Sequence, residues 1–196
     1  MGICLFVHRE DAQMFKHFNP HKAIQAAGVL LRFERNRMSY TRLLKLLYIA
    51  DREAIKDHGL PILGSKAVAM DHGPLHSDVY NLIKGIHEKT PIWSRYFATT
   101  GYRVEAVDQP ENGLLSEYEI AKLQAVSEKY APFSDEEICD QMTHTFAEWI
   151  KNHQSGTSRP IQLEDIMDAV GRSGDKAAIL DDINELEEMD KIFSEA

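Results

Sequence analysis

The segment from Ser39 to Gly59 constrains this chain more than any other. Leu43, Leu46, Leu47, Ala50 and Ala54 recur at helical spacing on one stripe, and Leu44, Ile55 and the body of Tyr48 widen it. A stripe that wide needs neighbours on more than one side, so the spacing predicts a central helix over about 40–57. Lys45, Tyr48 and Asp51 are polar members of this otherwise apolar stretch. Ser39 is placed to cap the start, Gly59 to end the helix with a positive φ, and Pro61 to prevent continuation.

Further elements arrange themselves around that helix. Asn19-Pro20 opens a helix over about 21–36, with Ile24, Ala27, Leu30 and Leu31 at helical spacing. Lys66 to Met70 reads as a short strand, Gly73-Pro74 as a turn, and about 75–87 as a helix buried through Leu75, Val79, Leu82, Ile83 and Ile86. Ser94–Ala98 and Tyr102–Ala106 flank Thr99-Thr100-Gly101 and read as a β-hairpin, which with 66–70 would make a three-stranded sheet. Ser116…Glu119 and Ser134…Glu137 match the S-x-x-E capping box, predicting helices over about 117–130 and 135–151. Residues 154–160 form a loop, Ile161 to Val170 a short helix, and about 176–193 a last, acidic helix with Ile179, Ile183, Leu186 and Ile192 on one side. The fold class is mainly α (α+β): a compact helical domain with a small antiparallel sheet or hairpin.

The bulk numbers fit that reading. A chain of 196 residues is long enough for one substantial core. The net charge of -9 argues against broad binding to nucleic acid, which needs many Lys and Arg contacts to phosphate. The charge is uneven: residues 1–60 carry ten Lys/Arg against six Asp/Glu, and the remainder twelve against twenty-five. Two cysteines, Cys4 and Cys139, build no disulfide framework and suit a reducing compartment. The apolar run Ile3–Val7 is too short for a signal-peptide core, and no stretch reaches membrane-spanning length, so a cytoplasmic protein with no membrane partner is expected.

Candidate chemistry is sparse. His72 and His76, with Asp71 and Asp78 nearby, are residue types that bind transition metals, but Pro74 between them spoils a shared helical turn. Ser77, His76 and Asp78 are adjacent in sequence and on a helix would point apart. Cys139 and His144 carry no pairing argument. There is no GxSxG elbow and no glycine-rich phosphate loop. No catalytic residue, metal or cofactor is therefore expected. Arg32, Arg35, Arg37, Arg42 and Lys45 cluster around the junction of the first two helices and superficially fit a helix-turn-helix. A DNA-binding regulator using these basic helices is the alternative function, although a leucine-rich second helix should be buried.

Several motifs, taken in order over about 24–150, resemble one known family. They are Leu43–Asp51 with Lys45, Tyr48 and Asp51; Gly59, Pro61 and Gly64; Met70, His72, Gly73, Pro74, Ser77, Val79 and Tyr80; Leu115-Ser116 with Glu119; and Ser134 with Thr143-His144. The resemblance is to the Panacea domain, the SocA-type antitoxin or phage-associated GepA-like family. Many members carry Pro-Trp soon after the Thr-His, whereas here only Trp149 is kept. The resemblance implies a non-catalytic antitoxin that binds a cognate protein toxin. In the SocA type it also implies an adaptor role, delivering the toxin to a cytosolic protease. It implies a domain over 1–150 and a C-terminal helical extension over 151–196, packed on or continuing it. It marks Lys45, Tyr48, Asp51, His72, Ser77, Tyr80, Thr143 and His144 as structural or partner-binding. Lys45, Tyr48, Asp51 and His144 are expected to form a buried polar network. Arg95, Tyr96, Tyr102 and Arg103, placed by the sequence reading on the hairpin, are candidate toxin contacts because aromatic and Arg anchors dominate such interfaces.

Overall fold

A computed structural model describes residues 18–183 and 185 of the chain. The run Ile3–Val7, Cys4 and the far end of the acidic helix lie outside the described residues.

Helix α2, Tyr40–His58, is the centre of the molecule. Its leucines 43, 44, 46 and 47 are each at most 2% exposed. Burial of a leucine side chain contributes about 2 kcal/mol, so this one helix anchors much of the core. Ser39 accepts from the Arg42 N–H at its start, and Gly59 closes it at φ +87. Helix α1, Pro20–Phe33, is capped by Asn19 and packs with helix α5, Glu117–Tyr130, against α2. Helix α1 stops short of the expected 36, because Arg35 and Asn36 take positive φ and turn the chain into strand β1, Arg37–Ser39.

Two three-stranded antiparallel sheets flank the helices. Strand β2, Ala67–Met70, falls where the sequence placed a strand. The Gly73-Pro74 segment is not a turn into a helix: Gly73–His76 is strand β3, paired with β2 from Met70↔Gly73 to Ala67↔His76. A proline is tolerated there because β3 is a sheet edge. Helix α3 is therefore shorter than expected, Ser77–Lys84. Helix α4, Thr90–Tyr96, starts at Thr90-Pro91 and takes the first residues assigned to the hairpin, leaving β4 as Phe97–Thr100 and β5 as Arg103–Ala106. Arg95 and Tyr96 thus lie on α4, while Tyr102 and Arg103 lie on the hairpin. The expected joining of this hairpin to 66–70 does not occur. The hairpin pairs with β1 in the order β1-β5-β4, and β2 pairs with β3 and with β6, Arg159–Ile161.

The largest departure is the helix expected over 135–151. Ser134 and Glu137 make their reciprocal capping bonds, but Glu137–Met142 is a π-helical turn and Thr143–Thr145 a 3₁₀ turn, with helix α6 resuming at Ala147–Asn152. The Thr143 hydroxyl donates back to the Cys139 carbonyl, and the break turns Thr143 and His144 toward β3.

Described residues between 159 and 183 pack on the same elements. Ile161, helix α7 (Leu163–Ala169), Ile179 and Ile183 form a second apolar cluster with Tyr48, Ile55, Ala67 and Ala69. Arg172 donates to the carbonyls of Lys56 and Asp57 at the C-terminal end of α2, where unpaired carbonyls accumulate.

Candidate functional site

Lys45, Tyr48 and Asp51 of α2 are buried on successive turns, and each meets a different hydrogen-bond partner. Lys45 is 2% exposed and donates to the Pro74 carbonyl at 2.7 Å. Burial pushes its pKa down to about 8, and the neighbouring Cys139 thiol offsets this only in part. Thr143, fully buried, presents its hydroxyl to the same place, beside the α-carbon of Gly73.

One turn further along, the Tyr48 hydroxyl donates to Glu148 Oε1 at 3.2 Å. Arg52 Nε donates to the same oxygen at 2.7 Å and its guanidinium lies 4.2 Å over the Phe146 ring. Burial, and after it the Glu148 charge, hold the Tyr48 phenol well above its ordinary pKa. Glu148 Oε2 is buried with no hydrogen-bond partner among the described residues.

At the C-terminal end, Asp51 ties down the chain that leaves the helix. Its Oδ1 accepts from the backbone N–H groups of Ile62 and Leu63 at 3.0 and 3.1 Å. His76 Nε2 sits 3.2 Å from Asp51 Oδ2, within ion-pair reach but at an angle that makes no straight N–H···O bond. Lys45, Tyr48 and Asp51 of the expected network thus share no hydrogen-bond partner with one another; they head three buried groupings on one helix, two of which touch where the Tyr48 ring packs against His76 at 5.6 Å.

His144 belongs to a different assembly. Its ring stacks on Trp149 at 4.2 Å, and the other face of Trp149 is covered by His153 at 4.4 Å. Trp149 Nε1 donates to the Met70 carbonyl, and His153 Nε2 lies 2.9 Å from Asp71 Oδ1. The stack therefore pins α6 to the β2–β3 turn.

The remaining motif residues are dispersed. His72 is exposed in that turn, whereas His76 is buried, so the two histidines do not converge. Among the described residues, no group of three His, Cys, Asp or Glu is arranged to hold a metal ion. The Ser77 hydroxyl donates to the Lys66 carbonyl, and Asp78 accepts from Ser65 and from the Lys66 N–H. With His76 turned to Asp51, these three neighbours form no triad. Cys139 lies beside Lys45, while His144 stacks on Trp149 with its Nδ1 3.7 Å from Asp140. Tyr80 is half-buried under Lys84, which also lies over Tyr40, itself stacked on Tyr102. Tyr102 is 75% exposed, and Arg95 and Arg103 are exposed. The five basic residues of the supposed helix-turn-helix divide: Arg42 is held by Glu34 and the carbonyls of Tyr130 and Phe133, Lys45 by Pro74, and Arg32 by Gln109 and Asn112. The stretch Arg42–Asp51 of α2 is buried, whereas a recognition helix needs an open face for a DNA groove.

Arg52, Phe146 and Glu148 escaped the sequence reading. Arg52 was within reach, since it follows Tyr48 by four residues and an i,i+4 polar pair in a buried helix shares a face. Glu148 carried no local signal.

A family model described as "Antitoxin SocA-like, Panacea domain" matches residues 43–150, more than half of the chain. The chain belongs to this family. The match begins at Leu43 in α2 and ends at Ile150 in α6, so it encloses all three buried groupings and the His144–Trp149 stack. The second cluster around Ile166 and Ile179 draws on residues beyond the matched Panacea region. No curated protein and no solved structure matches the chain.

Within this Panacea domain Lys45 has a measurable signature. Its pKa is about 8 in the folded state against an ordinary 10.5, so between those values the unfolded chain holds a proton that the folded one has released. Stability from this group therefore rises with pH across that window, by up to about 3 kcal/mol. The buried Cys139 thiol, with its pKa pushed up, contributes the opposite slope above its ordinary value. Comparison with Lys45→Met isolates the lysine: the gap between the two proteins, measured by urea unfolding from pH 7 to 10, should shift steadily in favour of the native chain. Parallel curves would refute the assignment.

Proposed function

We propose that this chain is a non-catalytic antitoxin that binds a cognate protein toxin and neutralises it in the cytoplasm. The carrying observation is the antitoxin-family match, which spans the whole buried polar spine of α2. The motif residues Lys45, Tyr48 and Asp51 on that spine face inward, and with Thr143 of the neighbouring 3₁₀ turn all are at most 3% exposed. They act as scaffold in this reading, and toxin choice falls to exposed side chains outside the motif. Residues 151–183, sharing a sheet with β2 and a core with α2, continue the same folding unit. The family membership supports the toxin as partner, and the separate engagement of Ser77, His76, Asp78, Cys139 and His144 supports a binding role over catalysis.

The test is affinity capture of the tagged protein from its native cells, followed by expression of what co-elutes. A near-stoichiometric protein that arrests growth alone, and is harmless when co-expressed with this chain, is the expected result. Following the toxin's half-life in the same cells separates sequestration, in which it is unchanged, from delivery to a protease, in which it falls. A capture that yields no such protein refutes the neutralising role.

A further inference from the structure

Asn112 is the one asparagine of the chain that is followed by glycine. An asparagine side chain is open to attack by the backbone nitrogen of the next residue, and a glycine there leaves the approach unscreened because it carries no side chain. Gly113 has a negative φ and open space where a Cβ would stand.

The surroundings of this pair suit such a reaction. Arg32, in the last turn of α1, donates from Nη2 to Asn112 Oδ1 at 2.9 Å. A guanidinium offers donors only, so the carbonyl oxygen of the amide faces it and the amide nitrogen does not. Nη1 of the same side chain donates to Gln109 Oε1 at 3.4 Å, and Gln109 donates on to Asn36 Oδ1 at 2.9 Å, which holds the guanidinium in place. The Asn112 amide nitrogen and the Gly113 N–H make no hydrogen bond among the described residues, so the leaving group and the nucleophile are both free.

The segment is fixed on either side of the pair. Pro110 packs on Gly28 of α1 too closely to admit a Cβ there. The Leu115 N–H donates to the Asn112 carbonyl at 2.9 Å, and the Leu114 N–H to Gln25 Oε1 at 2.8 Å. Leu115 is buried, whereas Arg32 and Gly113 are exposed to solvent water.

We infer that Asn112-Gly113 is a site of spontaneous deamidation promoted by Arg32. The Gly113 nitrogen sheds its proton and bonds to Asn112 Cγ. Negative charge gathers on Oδ1, where the guanidinium stabilises it as an oxyanion. The Cγ–Nδ2 bond then breaks, and the nitrogen leaves as ammonia, carrying off the proton that Gly113 shed. Water adds to one of the two carbonyls of the resulting succinimide. Opening at one carbonyl leaves aspartate at position 112, and opening at the other leaves isoaspartate, with the backbone routed through the former side chain. Either product adds a carboxylate to the loop that Arg32 already holds, and such a charge-assisted pair favours it. The isoaspartyl backbone is longer between Pro110 and Leu115, which are both anchored, so the Leu114 N–H is drawn off Gln25.

The test incubates the full-length protein at mildly alkaline pH and follows its peptides by mass spectrometry, with aspartate and isoaspartate separated by chromatography. The Asn112 peptide should gain the mass of an amide-to-acid exchange well ahead of the peptides that carry Asn36, Asn81 and Asn152. Gly113→Ala should melt with wild type, since its Cβ meets no atom within 4 Å, while deamidation slows by about tenfold or more. Arg32→Gln should slow it by about threefold or more, and Arg32→Lys, still a cationic donor, should recover part of the rate. Conversion at Asn112 no faster than at the other asparagines, a rate untouched by Gly113→Ala, or a rate that holds or rises in Arg32→Gln would each overturn the inference. Amide exchange at Leu114 should quicken in the isoaspartyl fraction, and unchanged protection would refute the displacement from Gln25.

Discussion

Asp51→Ala is expected to lower the melting temperature by roughly 10 °C. Asp51 is 3% exposed, and its carboxylate serves as the acceptor for two backbone N–H groups in the segment that leaves α2. Alanine leaves the Ile62 and Leu63 amides unpaired at positions 3% and 4% exposed. Each orphaned buried donor costs about 1–3 kcal/mol. The change also takes the carboxylate away from His76, whose imidazole has no other polar partner among the described residues. The combined loss is about 3–5 kcal/mol, a large share of a domain's net stability. Asp51→Asn separates the contributions, because it keeps an acceptor oxygen for the amides and removes the charge. It should fall between the native chain and Asp51→Ala by calorimetry. An Asp51→Ala protein that melts with wild type would mean that the 62–63 segment finds other partners, and that Asp51 marks something besides the fold.

What could be read from the chain divides along physical lines. Helix α2 was legible because its wide apolar stripe, its Ser39 cap and its Gly59 stop agree, and all three are local. Helix α5 was legible for the same reason, through Ser116 and Glu119. The break after Met142 was not, since the 134–137 capping box is satisfied whichever helix type follows it. The turn at Thr143 answers to β3, some seventy residues earlier in the chain. Gly73-Pro74 misled because these residue types mark turns, whereas strand pairing with β2 decided their conformation. The polar members of α2 stood out as polar residues within an apolar helix, but their partners lie 11 to 100 residues away. Periodicity carries no information over such distances. It could mark Lys45, Tyr48 and Asp51 as enclosed, and it could not show that they head three groupings.

Gly73→Ala tests the place where two of these long-range contacts meet, and should cost about as much as Asp51→Ala. Gly73 sits at φ +87, a region that alanine enters at a cost of about 1 kcal/mol or more. A Cβ there would also come closer than 3.0 Å to Thr143 Oγ1 and to 3.2 Å from Lys45 Nζ. Neither neighbour can retreat easily: Thr143 is fully buried and bonded to Cys139, and Lys45 is held by Pro74. Gly85 provides the control, with φ +78 and no atom within 4 Å of the place a Cβ would take, so Gly85→Ala should register the backbone cost alone. The excess of Gly73→Ala over Gly85→Ala measures the crowding, expected to reach about 2 kcal/mol or more in urea unfolding. Thr143→Ala removes the nearest atom, so the Gly73→Ala/Thr143→Ala pair should lose less stability than the two single losses added together. Strict additivity would show that β3 yields rather than the 3₁₀ turn, and that the junction between them is looser than its burial implies.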